Sequence, residues 1–211
     1  HGKARASSAP PMDHPLQCRC GTLQAVIRNA EAGNHTLCYC KDCQAFAHFL
    51  GRPAEILDER GGSDVVQILP KNLTFTQGIE SLACVRLTPR GLVRWYARCC
   101  NTPIGNTLAT PKLSFIGLVS ECLKSKPLDD SFGPIHSWVH TQSAGGEPKP
   151  KARGVGTSVR WFFANALKAR FNGDYKRTPL FRADGSLIVT PHVLSSQELA
   201  SIRNAVRAAT G

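Results

Sequence analysis

Between Leu16 and about Leu123 the chain is a succession of short runs rich in leucine, β-branched and aromatic residues. They are Leu23–Arg28, Val65–Leu69, Leu73–Thr76, Leu82–Leu87, Leu92–Ala97 and Leu113–Val119. Turn-forming residues punctuate them at Gly33, Gly61-Gly62, Pro70, Gly78, Pro89-Arg90-Gly91 and Pro111. Short apolar runs closed by glycine and proline are the pattern of strands, so this part reads as a mostly β domain with many turns. One stretch departs from it: Lys41 to Leu50 has helical spacing.

The pattern changes after residue 142. Ser143–Thr157 is rich in Gly, Pro and Lys, the composition of a linker or mobile loop. A helix is predicted from about Ser158 to Phe171, stopped by Gly173, with Val159, Phe162, Phe163, Ala166 and Leu167 on one face. Packing of that face against the β domain is the simplest expectation, ahead of a helix lying on a membrane surface. Leu180–Thr190 reads as a hairpin around Asp184-Gly185, which supplies the positive φ of a two-residue turn. Ser195-Ser-Gln-Glu198 is a capping box that opens a last helix reaching about Ala209. The expected organisation is a β domain over residues 12–142, a linker or loop over 143–157 and a small α/β extension over 158–211.

Composition supports a water-soluble protein, with 42% hydrophobic and 19% charged residues. No apolar run approaches the roughly 20 residues of a membrane span, so no membrane partner is expected. The formal net charge is +11. Residues 1–144 carry 15 Lys and Arg against 11 Asp and Glu, and residues 145–211 carry 11 against 4. Such a surplus favours anionic partners. The basic residues Arg160, Lys168, Arg170, Lys176, Arg177, Arg203 and Arg207 are nevertheless scattered, and no nucleic-acid motif accompanies them, so a solvated basic face is the plainer reading and nucleic acid is a disfavoured partner.

Candidate chemistry resides in the cysteines. Seven of the nine fall in three tight groups, Cys18-Arg-Cys20, Cys38-Tyr-Cys40-Lys-Asp-Cys43 and Cys99-Cys100. Thiolates one or two residues apart can turn inward on one tetrahedral Zn²⁺ at about 2.3 Å each. Disulfides would require an oxidising compartment, and the polar leader His1–Pro11 has no apolar core of a signal sequence. Met12, the sole methionine, reads as the natural initiator, with residues 1–11 foreign to the natural chain. A reducing, cytoplasmic setting is therefore the expectation, and there paired thiols favour metal. Cys43 would sit near the start of the Lys41–Leu50 helix, where exposed amides and the helix dipole stabilise a thiolate.

The pattern Cys18-Arg-Cys20-Gly21, Cys38-Tyr-Cys40-Lys-Asp-Cys43 and Cys100-Asn-Thr-Pro-Ile-Gly resembles the glutathione-dependent formaldehyde-activating enzyme (GFA) family, which includes centromere protein V. The likeness covers Leu16 to Leu108. It implies a β-tent fold of stacked sheets with two zinc sites. One is a closed structural site, to which the first Cys-x-Cys and a late cysteine pair contribute. The other is a three-thiolate site at Cys38, Cys40 and Cys43 with an open fourth position. The family's late pair is usually Cys-x2-Cys, whose first member would fall on Ala97; here Cys99 adjoins Cys100 instead. Neighbouring strand residues point to opposite faces, so the two can share an ion only if the backbone turns sharply between them. Asn101-Thr-Pro103 favours such a turn, and Cys18, Cys20, Cys99 and Cys100 are the expected structural set. The alternative is that Cys99 closes the central site.

The resemblance implies a carbon–sulfur lyase acting on a glutathione–formaldehyde adduct or a related thiol adduct, with two Zn²⁺ ions and a small thiol such as glutathione as partner. The contrasting reading is a non-catalytic zinc-stabilised module that docks on an acidic partner through its basic C-terminal region. Asp42 and His48 lie near the central cysteines, but read more simply as a first-turn helix residue and a partly buried histidine. His136 and His140 have the spacing of a zinc helix without its glutamate. Cys84 and Cys122, in apolar runs, read as small buried hydrophobes.

Overall fold

Alternation of side chains across each strand sorts the apolar residues of this chain into two cores on opposite faces of one sheet. A computed structural model describes residues 12–210. The leader 1–11 lies outside the described residues. The strands are β1 His14–Gln17, β2 Gln24–Ile27, β3 Asn34–Cys38, β4 Ser63–Ile68, β5 Leu73–Gln77, β6 Leu82–Arg86, β7 Val93–Ala97, β8 Thr102–Thr107, β9 Ile116–Val119, β10 Ser137–Val139 and β11 His192–Val193. The α-helices are α1 Lys41–Phe49, α2 Pro53–Ile56, α3 Leu128–Phe132, α4 Val155–Asn172 and α5 Ser196–Thr210.

Strands β1, β2 and β5 form an antiparallel three-stranded sheet. The others form an eight-stranded sheet in the order β10-β3-β4-β9-β8-β7-β6-β11, parallel only at its two outer pairs. In β6, Cys84 joins the core shared with the small sheet, and its neighbour Val85 joins the core under the helices. In β9, Leu118 and Val119 divide in the same way. The first core holds Leu16, Ile27 and Leu73 of the small sheet against Val66, Trp95 and Ile104 of the large one. The second holds Phe46 and Leu50 of the α1 region and Val206 of α5 against Val85 and Leu87. The fold is therefore β-rich: a small sheet, a large sheet, and a layer that includes α1 and α5.

Four sequence expectations need correction. Strands β1, β3, β8, β10 and β11 were not among the predicted runs, because their residues break the apolar rule. In β3, Asn34, His35 and Thr36 are buried, and their polarity is satisfied by Gln67 (2.7 Å), Asp64 (2.8 Å) and Ser137 (2.7 Å). The predicted Leu113–Val119 strand shortens to Ile116–Val119, with Leu113 exposed. The Asp184-Gly185 turn closes on a single bridge, Phe181 with Leu187, and the Arg182-to-Ser186 hydrogen bond makes its loop three residues rather than two. Finally, α4 starts at Val155 after Gly154, whose φ of +63° and proximity to His136 O exclude any side chain. Its inward residues are Ser158, Ala166 and Ala169, whereas Val159, Phe163 and Leu167, expected in the core, are exposed.

Other expectations agree with the structure. The Lys41–Leu50 helix appears as α1, and the capping box forms reciprocally: Ser195 N–H donates to Glu198 Oε2 at 2.8 Å and Glu198 N–H to Ser195 Oγ at 3.2 Å. Cys84 and Cys122 are buried at 3% and 1% exposure. Apart from these agreements, the 143–157 stretch, expected as a linker or loop, makes backbone hydrogen bonds to the sheet region, Gly145 N–H to Arg60 O (2.8 Å) and a Trp138–Arg153 pair, and its last residues begin α4. Beyond them, β11 extends the large sheet, and Leu180 and Phe181 enter the first core.

One buried pair gives stability a pH dependence. His35 Nδ1 and Nε2 face two acceptors, Gly133 O at 2.7 Å and Asp64 Oδ1 at 2.8 Å, so only the doubly protonated ring satisfies both. Burial opposes that charge, but the Asp64 and Gly133 hydrogen bonds outweigh it and raise the His35 pKa above 6.5. A raised folded value means the contribution is complete below the unfolded pKa and fades as pH rises through the folded one. We predict that His35→Gln costs about 1–3 kcal/mol in urea denaturation at pH 5.5, and that the gap to the parent chain narrows steadily towards pH 8.5.

Candidate metal centre

Two connections bring the first cluster together. Between β1 and β2 the chain turns at Cys18-Arg19-Cys20-Gly21, fixed by Gly21 N–H donating to Cys18 O at 2.9 Å and Leu23 N–H to Cys18 Sγ at 3.2 Å. Between β7 and β8 the hairpin tip Arg98–Asn101 carries Cys99 and Cys100, with Cys100 N–H reaching Ala97 O and Asn101 in the left-handed region at φ 52°. Asparagine tolerates that conformation better than other residues with a Cβ, which is how two adjacent cysteines come to face the same point.

The sulfurs of Cys18, Cys20, Cys99 and Cys100 all lie within 4.8 Å of one another. Individual separations are 3.6 Å (Cys18–Cys20), 3.8 Å (Cys18–Cys99), 3.3 Å (Cys20–Cys99) and 3.8 Å (Cys99–Cys100). Four sulfurs at about 2.3 Å from one tetrahedral ion stand about 3.8 Å apart, whereas a disulfide needs about 2.05 Å. All nine cysteines are free. Thr102 Oγ1 lies 3.1 Å from Cys100 Sγ and accepts from Arg19 N–H at 3.0 Å, linking the two loops behind the sulfurs. Contacts with Thr22 pull the exposed Cys20 thiol down to about 6.

The second cluster is built where β3 runs into α1. Cys38 ends the strand, Cys40 is the helix N-cap, and Cys43 lies in the first turn. Cys40 Sγ takes the capping role usually filled by an oxygen, accepting from Cys43 N–H at 3.3 Å. Cys43 Sγ is 3.1 Å from Cys40 Sγ and 3.9 Å from Cys38 Sγ. Among the described residues no fourth His, Cys, Asp or Glu joins this group. Cys99 belongs to the other cluster, so it does not close this one. Hydrogen bonds from Cys38 and Cys40, reinforced by Arg94, hold the Cys43 thiol well below its ordinary value, and the hydrogen bonds with Cys40 and Cys43 push Cys38 up.

Arg94 is the residue that the sequence reading missed. It is 2% exposed on β7, with Nη1 donating to Asn106 Oδ1 at 3.0 Å and lying 3.9 Å from Cys43 Sγ. Its guanidinium also sits 5.6 Å from the Phe46 ring centre and 4.0 Å from Asp42. A buried cation needs a compensating anion. Three thiolates around a divalent ion would provide one, since together they would leave a net single negative charge. The available signal was a charged residue inside the apolar run Val93-Arg94-Trp95.

Between α1 and α5 a cleft of about 610 Å³ is lined by Lys41, Asp42 and Gln44, the sequence neighbours of Cys40 and Cys43, and by Arg203, Val206 and Arg207; the three cysteines themselves are not in its lining. Asp42, whose side chain is about half exposed, lies 3.8 Å from Arg203. His48 is partly buried, and burial lowers its pKa. His136 binds Asn34 Oδ1 at 2.5 Å, and His140 stands at a left-handed turn, so the two form no metal pair.

A family model described as a family of unknown function, DUF6151, matches residues 12–183. The chain belongs to that family. The DUF6151 span contains all seven clustered cysteines and Arg94, and ends before β11 and α5. A solved structure of a Rhodobacter sphaeroides protein is similar at 18% identity and a TM-score of 0.40, over 59% of this chain and 99% of that one. No curated protein matches. Among the described residues no helix is long and apolar enough to cross a membrane.

Sets of four and three thiols could each hold a thiophilic ion, and thiolate-only sets of this size suit zinc. Protons compete for the same sulfurs, so lowering the pH should release metal. Elemental analysis of the purified chain should find about two zinc ions per molecule. Cys18→Ser should remove one and lower the melting temperature, because that sulfur is buried between the two loops.

Proposed function

We propose that this protein is a zinc-dependent, GFA-like member of its family, with a β-tent arrangement of sheets and carbon–sulfur lyase activity on a thiol–aldehyde adduct. S-hydroxymethylglutathione is the model substrate. The observation that carries the reading is the three-sulfur cluster at the start of α1, which has no fourth donor among the described residues and whose sequence neighbours Lys41, Asp42 and Gln44 line a cationic cleft. In this reading the Cys18, Cys20, Cys99 and Cys100 set is structural.

Zinc held by Cys38, Cys40 and Cys43 would keep a fourth sulfur deprotonated. In the synthetic direction the substrate thiolate adds to the aldehyde carbon and a C–S bond forms. The carbonyl π pair becomes an alkoxide that takes a proton from water, balancing the one the thiol released to water, and the S-hydroxymethyl adduct results; the reverse breaks the same C–S bond and returns both protons. Arg94 offsets the negative charge of the sulfur set and holds its place through Asn106 and Phe46. Lys41, Arg203 and Arg207 give the cleft a cationic lining suited to substrate carboxylates. Because a metal-held thiolate is a damped nucleophile, orientation in the cleft must supply much of the rate gain.

Cys40→Ser should lose one of two zinc ions while the fold survives, as read by elemental analysis and circular dichroism. Loss of both ions with unfolding would mark the central site as architectural. Titration of glutathione and formaldehyde against the parent chain should show adduct formation faster than the spontaneous rate; equal rates would sink the lyase assignment. Arg207→Ala should raise KM roughly tenfold with kcat little changed, the signature of a contact made equally in ground and transition states.

A further inference from the structure

The outward face of α4 inverts the usual arrangement of a packed helix. Small residues Ser158, Ala166 and Ala169 point inward, Val155, Val159 and Phe163 rim a groove shared with Phe115 and Val139, and Leu167 and Phe171 stand exposed beyond it. Val155, Val159, Phe163, Leu167 and Phe171 are 41%, 48%, 62%, 58% and 82% exposed, five of the nine large hydrophobics so exposed among the described residues. They recur every fourth residue along a helix of 18 residues, about 27 Å long, so the row winds by about 40° per step from the groove at Val155 and Val159, past Phe163 at its rim, to the outer face at Leu167 and Phe171. Isolated exposed apolar residues are ordinary, but a continuous row marks an interaction surface. The row is not loosely held. Trp161 Nε1 donates to Ala32 O at 3.1 Å, and Phe162 packs edge-on against Phe115 at 5.4 Å between ring centres. Phe163 rests on Phe162 at 5.2 Å.

The charges around the row select its partner. Helix α4 contains Arg160, Lys168 and Arg170 and no Asp or Glu. Lys151 and Arg153 precede it, and Lys176 and Arg177 come after it. Pairing this face with the same face of a second copy would set arginine and lysine against arginine and lysine. A surface that is both apolar and anionic satisfies both halves of the pattern. We propose that α4 is an interfacial docking helix for anionic lipid bilayers, its Phe and Leu side chains entering the headgroup boundary while the basic residues reach the phosphates. The helix lies on such a surface and does not cross it. The zinc clusters play no part in the proposal.

The test uses the intact chain in co-sedimentation with vesicles of phosphatidylcholine alone and of phosphatidylcholine with phosphatidylserine at about 7:3, since a basic residue near an anionic surface contributes roughly fivefold in binding. The parent chain should bind the mixed vesicles, bind neutral vesicles at least tenfold more weakly, and come off at high salt. Arg160→Glu with Lys168→Glu should reduce binding at least tenfold. Phe163→Ser with Leu167→Ser should abolish it at low salt. Both double variants alter exposed side chains, so their melting curves should match the parent's, which separates lost docking from lost folding. Equal binding to both vesicle types, binding to neither, or unaltered binding by the variants would each overturn the proposal. A concentration-dependent dimer in light scattering that Phe163→Ser with Leu167→Ser dissolves, without vesicle binding, would assign the face to self-association instead.

Discussion

Four sulfurs drawn from two distant loops, all within 4.8 Å of one another, are the constraint on which the rest of the molecule is hung. Cys18 and Cys20 belong to the connection within the small sheet, and Cys99 and Cys100 to a hairpin tip of the large one. Joining them clamps one sheet to the other at the edge of the first core. Ionised together without a cation, four such thiolates would repel one another strongly. Protonated, they would offer only weak S–H hydrogen bonds. A divalent ion would resolve both difficulties, since the binding free energy of a structural metal is folding free energy. The loop backbones are shaped to the same end, with the Leu23 amide directed at Cys18 Sγ and the Asn101 turn orienting Cys99 and Cys100.

The second cluster shows a different balance. Its three sulfurs lie at a strand-to-helix junction, so the α1 amides and helix dipole contribute positive potential from one side and Arg94 from another. Burying a guanidinium is costly unless it is paired. Its neighbours are Asn106, Asp42, Phe46 and Cys43, and of these only Asp42 carries a fixed negative charge, 4.0 Å away and half exposed. Ionised sulfurs of the cluster would supply the remaining compensation. Arg94 and the cluster are thus mutually dependent: the cation makes the thiolates cheaper to hold, and the thiolates make the buried cation tolerable.

How much the sequence disclosed depends on how local each signal is. The cysteine groups were legible because a Cys-x-Cys or Cys-x2-Cys spacing is a local geometric requirement, and α1 and the Ser195–Glu198 box were legible for the same reason. The β-rich class could also be read from the short apolar runs. Strand β3 could not, since Asn34, His35 and Thr36 are buried through polar partners on β4 and β10 that lie far away in sequence. Strand β8, Thr-Pro-Ile-Gly-Asn-Thr, looks like a turn, but it is a fully buried strand whose Gly105 lets β9 approach closely. Helix α4 misled in the opposite direction: periodicity identified an apolar face, but periodicity alone does not say whether such a face turns in or out. That was decided by Ser158, Ala166 and Ala169, whose small side chains allow the helix to lie close to β3 and β10.

The DUF6151 span stops at residue 183, and the C-terminal residues beyond it are not peripheral to the candidate site. Strand β11 pairs with β6 at the edge of the large sheet, occupying hydrogen-bonding groups that an edge strand would otherwise present to other chains. Leu194 and Val206 then enter the second core, which seats α5 against α1. That seating fixes Arg203 and Arg207 on the far wall of the cleft, opposite Lys41 and Asp42. The cysteine framework therefore comes from the family segment, while much of the cleft's positive charge comes from outside it. Altering that one terminal helix would therefore change the charge of the cleft while leaving the cysteine framework intact. In physical terms, the charge of the cleft depends largely on α5, and the possible metal ligands on the sulfurs at the start of α1.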